Sequence, residues 1–389
     1  MSRCIKLIIT TVTKTPTRSH KSLAAIASQC QAAEAIKAIQ PLGNGNVNET
    51  FLVQLNCKTR ANFVLQRLNT AVFSQPELVM QNLLALSGHV DRKLGEGIPQ
   101  LNGRRWELPR PLKWADGQQD WLEENGDFWR AISYIENAYC LEVLQDLQQA
   151  REVGFGLGMF HLLISDLPAT ALADTLEGFH ITPNYLAEYQ QVLKHTQLTA
   201  SAEAEWCVNF IEKRHSFAAV LEAAKARGEL QLRPIHGDPK INNLMLDIES
   251  GQAIALIDLD TVKPGLVHYD IGDCLRSGCN PLGEETTNLG AVHFDLQLCE
   301  AILEGYLSVA RGFLNEADHQ YLYEAIRLIP FELGLRFFSD YLNGSVYFRS
   351  DFPTHNLQRA LVQFKLTESI EVQEQEIRAI LERLRGSHP

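Results

Sequence analysis

Three residues in the stretch PIHGDPKINNLMLDIESGQAIALIDLD, residues 234–260, sit at the ends of two short apolar runs: Asp238, Asn243 and Asp258. Together they offer a carboxylate, an amide and a second carboxylate. Hard oxygen donors of this kind suit Mg²⁺, which keeps several waters and completes its shell from phosphates. Asp and Asn are also common turn formers, so any one of them could simply cap a turn. The joint pattern asks for more: His-Gly-Asp, four residues, Asn, then an apolar strand that ends in Asp.

Bringing the three together takes specific elements. RPIHGD reads as a short strand end or tight loop, and LMLD as a strand. GQAIALIDLD is its partner, turned by ESG at 249–251. A hairpin with a Gly turn carries the Asp238 loop and Asp258 to the same edge. Asp260, two residues further on, either touches a second metal or only the backbone.

The chain around this stretch has 389 residues, 45% hydrophobic and 21% charged, enough for two domains or one two-lobed domain with a full core. Its net charge of −12 argues against non-specific nucleic-acid binding, so an anionic ligand needs a local positive site. Eight scattered cysteines without CxxC spacing read as reduced residues of a cytoplasmic protein. No apolar run is long enough for a membrane span. Residues 1–20 read as a mobile tail or an over-extended start rather than a signal peptide.

Along the chain, 22–39 is Ala-rich with helical spacing, and GNGNVNETFLVQLN followed by TRANFVLQRLN reads as a hairpin with a glycine-rich end. SQPELVMQNLLALSGHV starts like a helix, and an apolar strand follows near 129–135. Helical patterns then occupy 141–167, 183–228, 295–312, 316–343 and 355–386. The expected organisation is a strand-rich lobe over 21–137 and a mainly helical lobe over 138–389, interrupted by the strands of 232–260.

HGDxxxxN with a downstream IDxD resembles the aminoglycoside phosphotransferase and choline kinase group. The resemblance implies an α+β, protein-kinase-like, two-lobed fold and transfer of the ATP γ-phosphoryl group to a small-molecule hydroxyl with Mg²⁺. Carried over residue by residue, Asp238 is the catalytic base and Asn243 and Asp258 hold the metal. Asp270 of HYDIGD braces the catalytic loop from below, with His236 as further structural support. GNGNVNETFLV, FVLQRLNTAVFSQPELVMQN, IDLDTVKPGLVHYDIGD and ELGLRFFSDYLNGSVYF, taken in order, are similar to the N-acetylhexosamine 1-kinase branch over about 40–350. Asn46 departs from that branch, which tends to carry His there.

GNGNVN lacks the last glycine of a dinucleotide fingerprint and the GK[ST] of a Walker loop, so alone it is a hairpin turn. Ahead of HGD, it reads as a loop over ATP phosphates, with Gly43, Gly45 and Asn46 as contacts. The resemblance places a basic phosphate-binding residue on FVLQRLN: Arg67, with Gln66 as the alternative. Glu77 is either its helix partner or a charge favoured by the helix dipole. Glu136, just past the apolar strand, joins the cofactor-binding set. GFGLG at 154–158 reads as close helix packing and His161 as a helix or core residue.

Glu332, Arg336 and Asp340 share one helix face, either as a surface ladder of ion pairs or as the wall of an acceptor pocket. The resemblance assigns Arg336 and Tyr347 to a sugar acceptor, an N-acetylhexosamine phosphorylated at its anomeric hydroxyl. The alternatives are an amino alcohol, a methylthioribose-like sugar, an aminoglycoside, or a module that holds nucleotide without turnover. The expected partner is a small molecule rather than nucleic acid or membrane.

Overall fold

The computed structural model describes residues 20–30, 36–43, 47–56, 61–114, 117, 119–196 and 201–386. The N-terminal part is an antiparallel sheet. Its strands are β1 (Ile36–Pro41), β2 (Glu49–Leu55), β3 (Phe63–Leu68), β4 (Leu122–Glu124) and β5 (Asp127–Ser133), in the order β1-β2-β3-β5-β4. Alternation along β3 and β5 sends Phe63, Leu65, Trp129 and Ala131 to an outer face, against helix α1 (His20–Cys30). Val64, Gln66, Leu68, Phe128, Arg130 and Ile132 take the inner face. Its apolar members pack against helix α2 (Pro76–Glu96) and the second lobe.

The helix expected over 22–39 ends at Cys30, and 36–39 belong to β1. There Ile36 and Ile39 pair with Leu55 and Val53, so cross-strand packing of β-branched residues overrides local helix preference. Gly43 thus follows β1, and Val47 and Asn48 lead into β2.

The chain leaves this sheet at Ser133 and enters another at β6 (Ala138–Cys140). The second lobe is mainly helical: α3 (Leu147–Ile164), α4 (Thr182–His195), α5 (Ala202–Glu212) and α6 (Val220–Ala226) precede its strands. These are β7 (Arg233–Ile235), β8 (Leu244–Asp247), β9 (Ala253–Leu256) and β10 (Lys263–Gly265). They pair as β6-β8-β9 and β10-β7. Then come α7 (Val267–Gly278), α8 (Leu296–Ala310), α9 (Glu316–Gln320), α10 (Leu322–Leu342), α11 (His355–Val372) and α12 (Glu374–Gly386).

GFGLG lies at the crossing of α3 and α8. A Cβ on Gly154 would come 1.8 Å from the Ile302 carbonyl oxygen, so these backbones touch and no larger residue fits. One core cluster joins Val64 and Ile132 of the first sheet, Leu83, Leu86 and Val90 of α2, and the α3, α7 and α8 interior. No helix among the described residues is long and apolar enough to cross a membrane.

Candidate active site

The loop after β7 holds His236, Gly237 and Asp238. Gly237 has φ 88°, and a Cβ there would lie 2.6 Å from the Thr261 carbonyl oxygen, so the HGD glycine is fixed by conformation and space. His236 braces the turn: its Nδ1 accepts from the Asp238 amide at 3.2 Å and its Nε2 donates to the Ile257 carbonyl at 2.9 Å. Burial lowers its pKa, and the neutral ring fits one accepting and one donating nitrogen.

Asp270, on α7, lies under the same loop. Its Oδ2 accepts from the His236 amide at 2.7 Å and its Oδ1 from the Gly237 amide at 2.8 Å. His161 of α3 donates to Asp270 Oδ2 at 2.9 Å, and the Tyr306 hydroxyl contacts the other His161 nitrogen at 2.9 Å. Burial alone would raise the Asp270 carboxyl, but its bonds to His161 and the loop hold it below the ordinary range. One helical face continues the support, because Ser277 Oγ accepts from the Ile241 amide at 3.1 Å.

Asp238 Oδ2 lies 2.9 Å from Lys240 Nζ. Asn243 Nδ2 donates to the Asp238 carbonyl at 2.7 Å and to Oδ2 at 3.2 Å. Burial opposes ionisation of Asp238, yet Lys240, His236 and Arg276 outweigh it and lower its pKa. Asp258 follows β9 in a left-handed conformation, φ 63°, with the preceding Ile257 amide bonded to the Asn243 carbonyl at 2.8 Å. The hairpin thus brings Asp238, Asn243 and Asp258 together. The Asp258 side chain keeps a solvent-facing edge. Desolvation by the cleft, then the carboxylates of Asp260 and Asp238, push its pKa up to about 6, against Lys240 and Arg130. A cation would relieve that crowding, and the oxygen donors suit Mg²⁺. No group of three or more His, Cys, Asp or Glu among the described residues forms a ready metal cage.

Asp260 is engaged elsewhere. Its Oδ1 lies 2.5 Å from Arg130 Nη2, both side chains being 2% exposed, and its Oδ2 accepts from Asn48 Nδ2 at 2.6 Å. Asn48 in turn accepts from the Asn69 amide at 3.0 Å. Asp260 therefore joins the lobes through side chains, an arrangement outside both sequence alternatives.

The N-terminal candidates divide. Gly43 has φ 73° at the β1–β2 turn, closed by the Leu42 amide on the Thr50 carbonyl at 2.9 Å. Gly45 and Asn46 lie outside the described residues. Glu136 is exposed between β5 and β6; its side chain accepts from Asn62 at 3.1 Å and its carbonyl from Arg105 at 2.8 Å. Arg67 needs a correction. Strand alternation turns it to the outer face, where it pairs with its cross-strand neighbour Glu49 at 2.8 Å and with Asp127 at 2.9 Å. It is not brought to the carboxylates, and neither contact involves Glu77. On the inner face Gln66 accepts from Arg130 Nε at 2.9 Å.

The three residues of α10 do not form a ladder. Glu332 pairs with His180 at 2.8 Å and accepts from Thr182 at 2.6 Å. Asp340 accepts from the amides of Val346, Tyr347 and Phe348 at 2.9, 2.8 and 3.0 Å, so it shapes the segment that carries Tyr347. Arg336 has no ion pair or hydrogen bond among the described residues. The rings of Phe179, Tyr185 and Phe348 surround its guanidinium at 5.1, 5.0 and 5.4 Å, and it lies in the field of Tyr185, Tyr347, Glu332 and, last, Asp238. Tyr347 is exposed on the rim.

Sequence reasoning missed Lys240 and Arg130. Lys240 stood inside the HGD motif, and a lone Arg within the apolar DFWRAIS was a signal for Arg130.

The sequence model described as the phosphotransferase enzyme family matches residues 38–310. Among solved structures, a microcompartment-associated aminopropanol kinase is 16% identical with TM-score 0.58, covering 92% of this chain and 99% of its own. An aminoglycoside phosphotransferase from Alicyclobacillus acidocaldarius is 15% identical with TM-score 0.59, covering 96% and 97%. A choline kinase from Cryptosporidium parvum is 14% identical with TM-score 0.59, covering 94% and 99%. At these identities the structural likeness shows a shared kinase-like fold, a small antiparallel lobe on a larger helical one.

Proposed function

Because the chain belongs to the phosphotransferase enzyme family, we propose that it transfers the γ-phosphoryl group of ATP to the anomeric hydroxyl of an N-acetylhexosamine. The observation that carries the choice of acceptor is Arg336, which makes no ion pair among the described residues: Glu332, the carboxylate four residues before it, is bonded to His180 and Thr182, and the guanidinium sits inside an aromatic wall in the field of Glu332 and Asp238. The structures of similar fold include kinases of aminopropanol and choline, acceptors that carry a protonated amine and a quaternary ammonium respectively. A guanidinium outside any ion pair and in the field of the base repels such acceptors. It suits a neutral sugar, whose carbonyl and hydroxyl oxygens accept charge-assisted hydrogen bonds while a ring face packs on Tyr347.

In this reading Asp238 receives the acceptor hydroxyl against its carboxylate. Its lowered pKa makes it a weak base, suited to orienting the hydroxyl and taking the proton late, as a loose phosphoryl-transfer transition state requires. Lys240, with its pKa raised first by Asp238, presents a fixed positive charge between Asp238 and Asp258 for the phosphoryl oxygens. Asn243 and Asp258 would hold Mg²⁺, which when bound neutralises charge on the transferred group. His236, Asp270 and His161 hold the loop in place, so little reorganisation is left for the chemical step.

An acceptor screen tests the reading: purified protein, ATP and Mg²⁺ with N-acetylglucosamine, N-acetylgalactosamine, methylthioribose, choline, aminopropanol and an aminoglycoside. Phosphorylation of an acetamido sugar well above the cationic acceptors is the expected result. Preference for a cationic acceptor would remove the argument from Arg336.

A further inference from the structure

The inner face of β3 carries the neutral Gln66, and the only arginine of that strand, Arg67, faces outward between Glu49 and Asp127. The register supplies a substitute. Arg130 on β5 is the direct partner of Gln66, shares its face and reaches across to the loop that follows Asp258. Three ends of its side chain are accounted for differently. Nε donates to Gln66 and Nη2 contacts Asp260, whereas Nη1 is buried without a hydrogen-bond partner. A buried donor left unpaired is unusual enough to need an explanation. Arg130 also stands close enough to act on the charge of Asp258.

We propose that Arg130 is the nucleotide-phosphate cation of this protein, supplied from β5 instead of β3, aimed by Gln66 and Asp260 and donating through Nη1. This rests on the nucleotide-dependent reading of the site. Asp260 is then a positioning residue: its carboxylate holds the guanidinium, which leaves Asp258 as the carboxylate of IDLD with no bonded cation among the described residues. Asn48, just before β2, donates to the same carboxylate and so ties the start of β2 to Arg130 through Asp260.

The test is equilibrium binding of ADP and of adenosine to the full chain, by calorimetry. Arg130→Gln is expected to weaken ADP roughly ten- to hundredfold, the loss of one charge-assisted contact, and to leave adenosine unchanged. Arg130→Lys should recover part of the ADP affinity. Asp260→Asn keeps the cation and should weaken ADP by much less than Arg130→Gln. Where Arg130→Gln alone does not fold, Arg130→Gln/Asp260→Asn leaves no unpaired buried charge and carries the same expectation. Equal losses for ADP and adenosine, or wild-type ADP binding in the double variant, would overturn the proposal and leave Arg130 as a strut. If wild-type protein binds neither ADP nor GDP, the nucleotide reading itself falls, and this inference with it.

Discussion

At the scale of single residues, the site separates into groups that react and groups that hold. In the proposed reading Asp238 belongs to the first. Asp238→Asn should lower the rate of transfer by about 10²–10⁴-fold, the usual weight of a positioned acid–base group, with ATP affinity nearly intact. Single-turnover kinetics beside an ATP titration check both halves, and a rate within about tenfold of wild type would reject the base assignment. Arg336 offers a second separation. Because it supports no ion pair among the described residues, Arg336→Ala removes no salt bridge and should raise the KM for the sugar while sparing that for ATP. The expected loss in kcat/KM is roughly 10–150-fold, one charge-assisted bond of about 1.5–3 kcal/mol. Unaltered sugar kinetics would take the residue out of the acceptor pocket.

At the scale of elements, the buried pair His180–Glu332 fastens the turn before α4 to α10. Burial opposes the charged ring, but Glu332 outweighs it and raises the His180 pKa; Glu332 is lowered in return, against its own burial. The His180 contribution to stability is full below the ordinary imidazole value, about 6.5, and fades as pH rises through the raised value. The Glu332 contribution is full above about 4.3 and fades as pH falls through the lowered one. The stability difference between wild type and Glu332→Gln should therefore be largest between about pH 4.5 and 6.5. Denaturant titrations across pH would show it, and a difference that grows steadily toward alkaline pH would contradict it. The pair also shows what the sequence could not display. Spacing alone put Glu332, Arg336 and Asp340 on one face, yet their partners come from residues distant in the chain. The HGD hairpin was legible because its strands, turn and carboxylates are contiguous. β1 and α7 were not: β1 depends on pairing with β2, and α7 carries Asp and Arg among its buried residues where apolar periodicity was sought. Arg67 and Arg130 differ for the same reason, since the strand face decides and a single sequence does not fix it.

At the scale of the molecule, the two lobes are joined more firmly than the short stretch between β5 and β6 implies. Val64, Ile132 and the apolar side of α2 share a core with the helical lobe. Asn82 of α2 donates to the carbonyls of Ala173 and Val262, both at 2.9 Å, and accepts from the Ala173 amide at 2.8 Å. The Arg130–Asp260 pair adds a buried charge contact, of the kind that costs about 3–5 kcal/mol to break by losing one partner. The consequence lies in solution shape. Swinging the lobes apart would expose a core and orphan two charges, so nucleotide has to enter and leave a frame that stays nearly the same size. Small-angle scattering should give one radius of gyration with and without ADP, and a wider, nucleotide-free form would show that Arg130 and Asp260 come apart whenever the site empties.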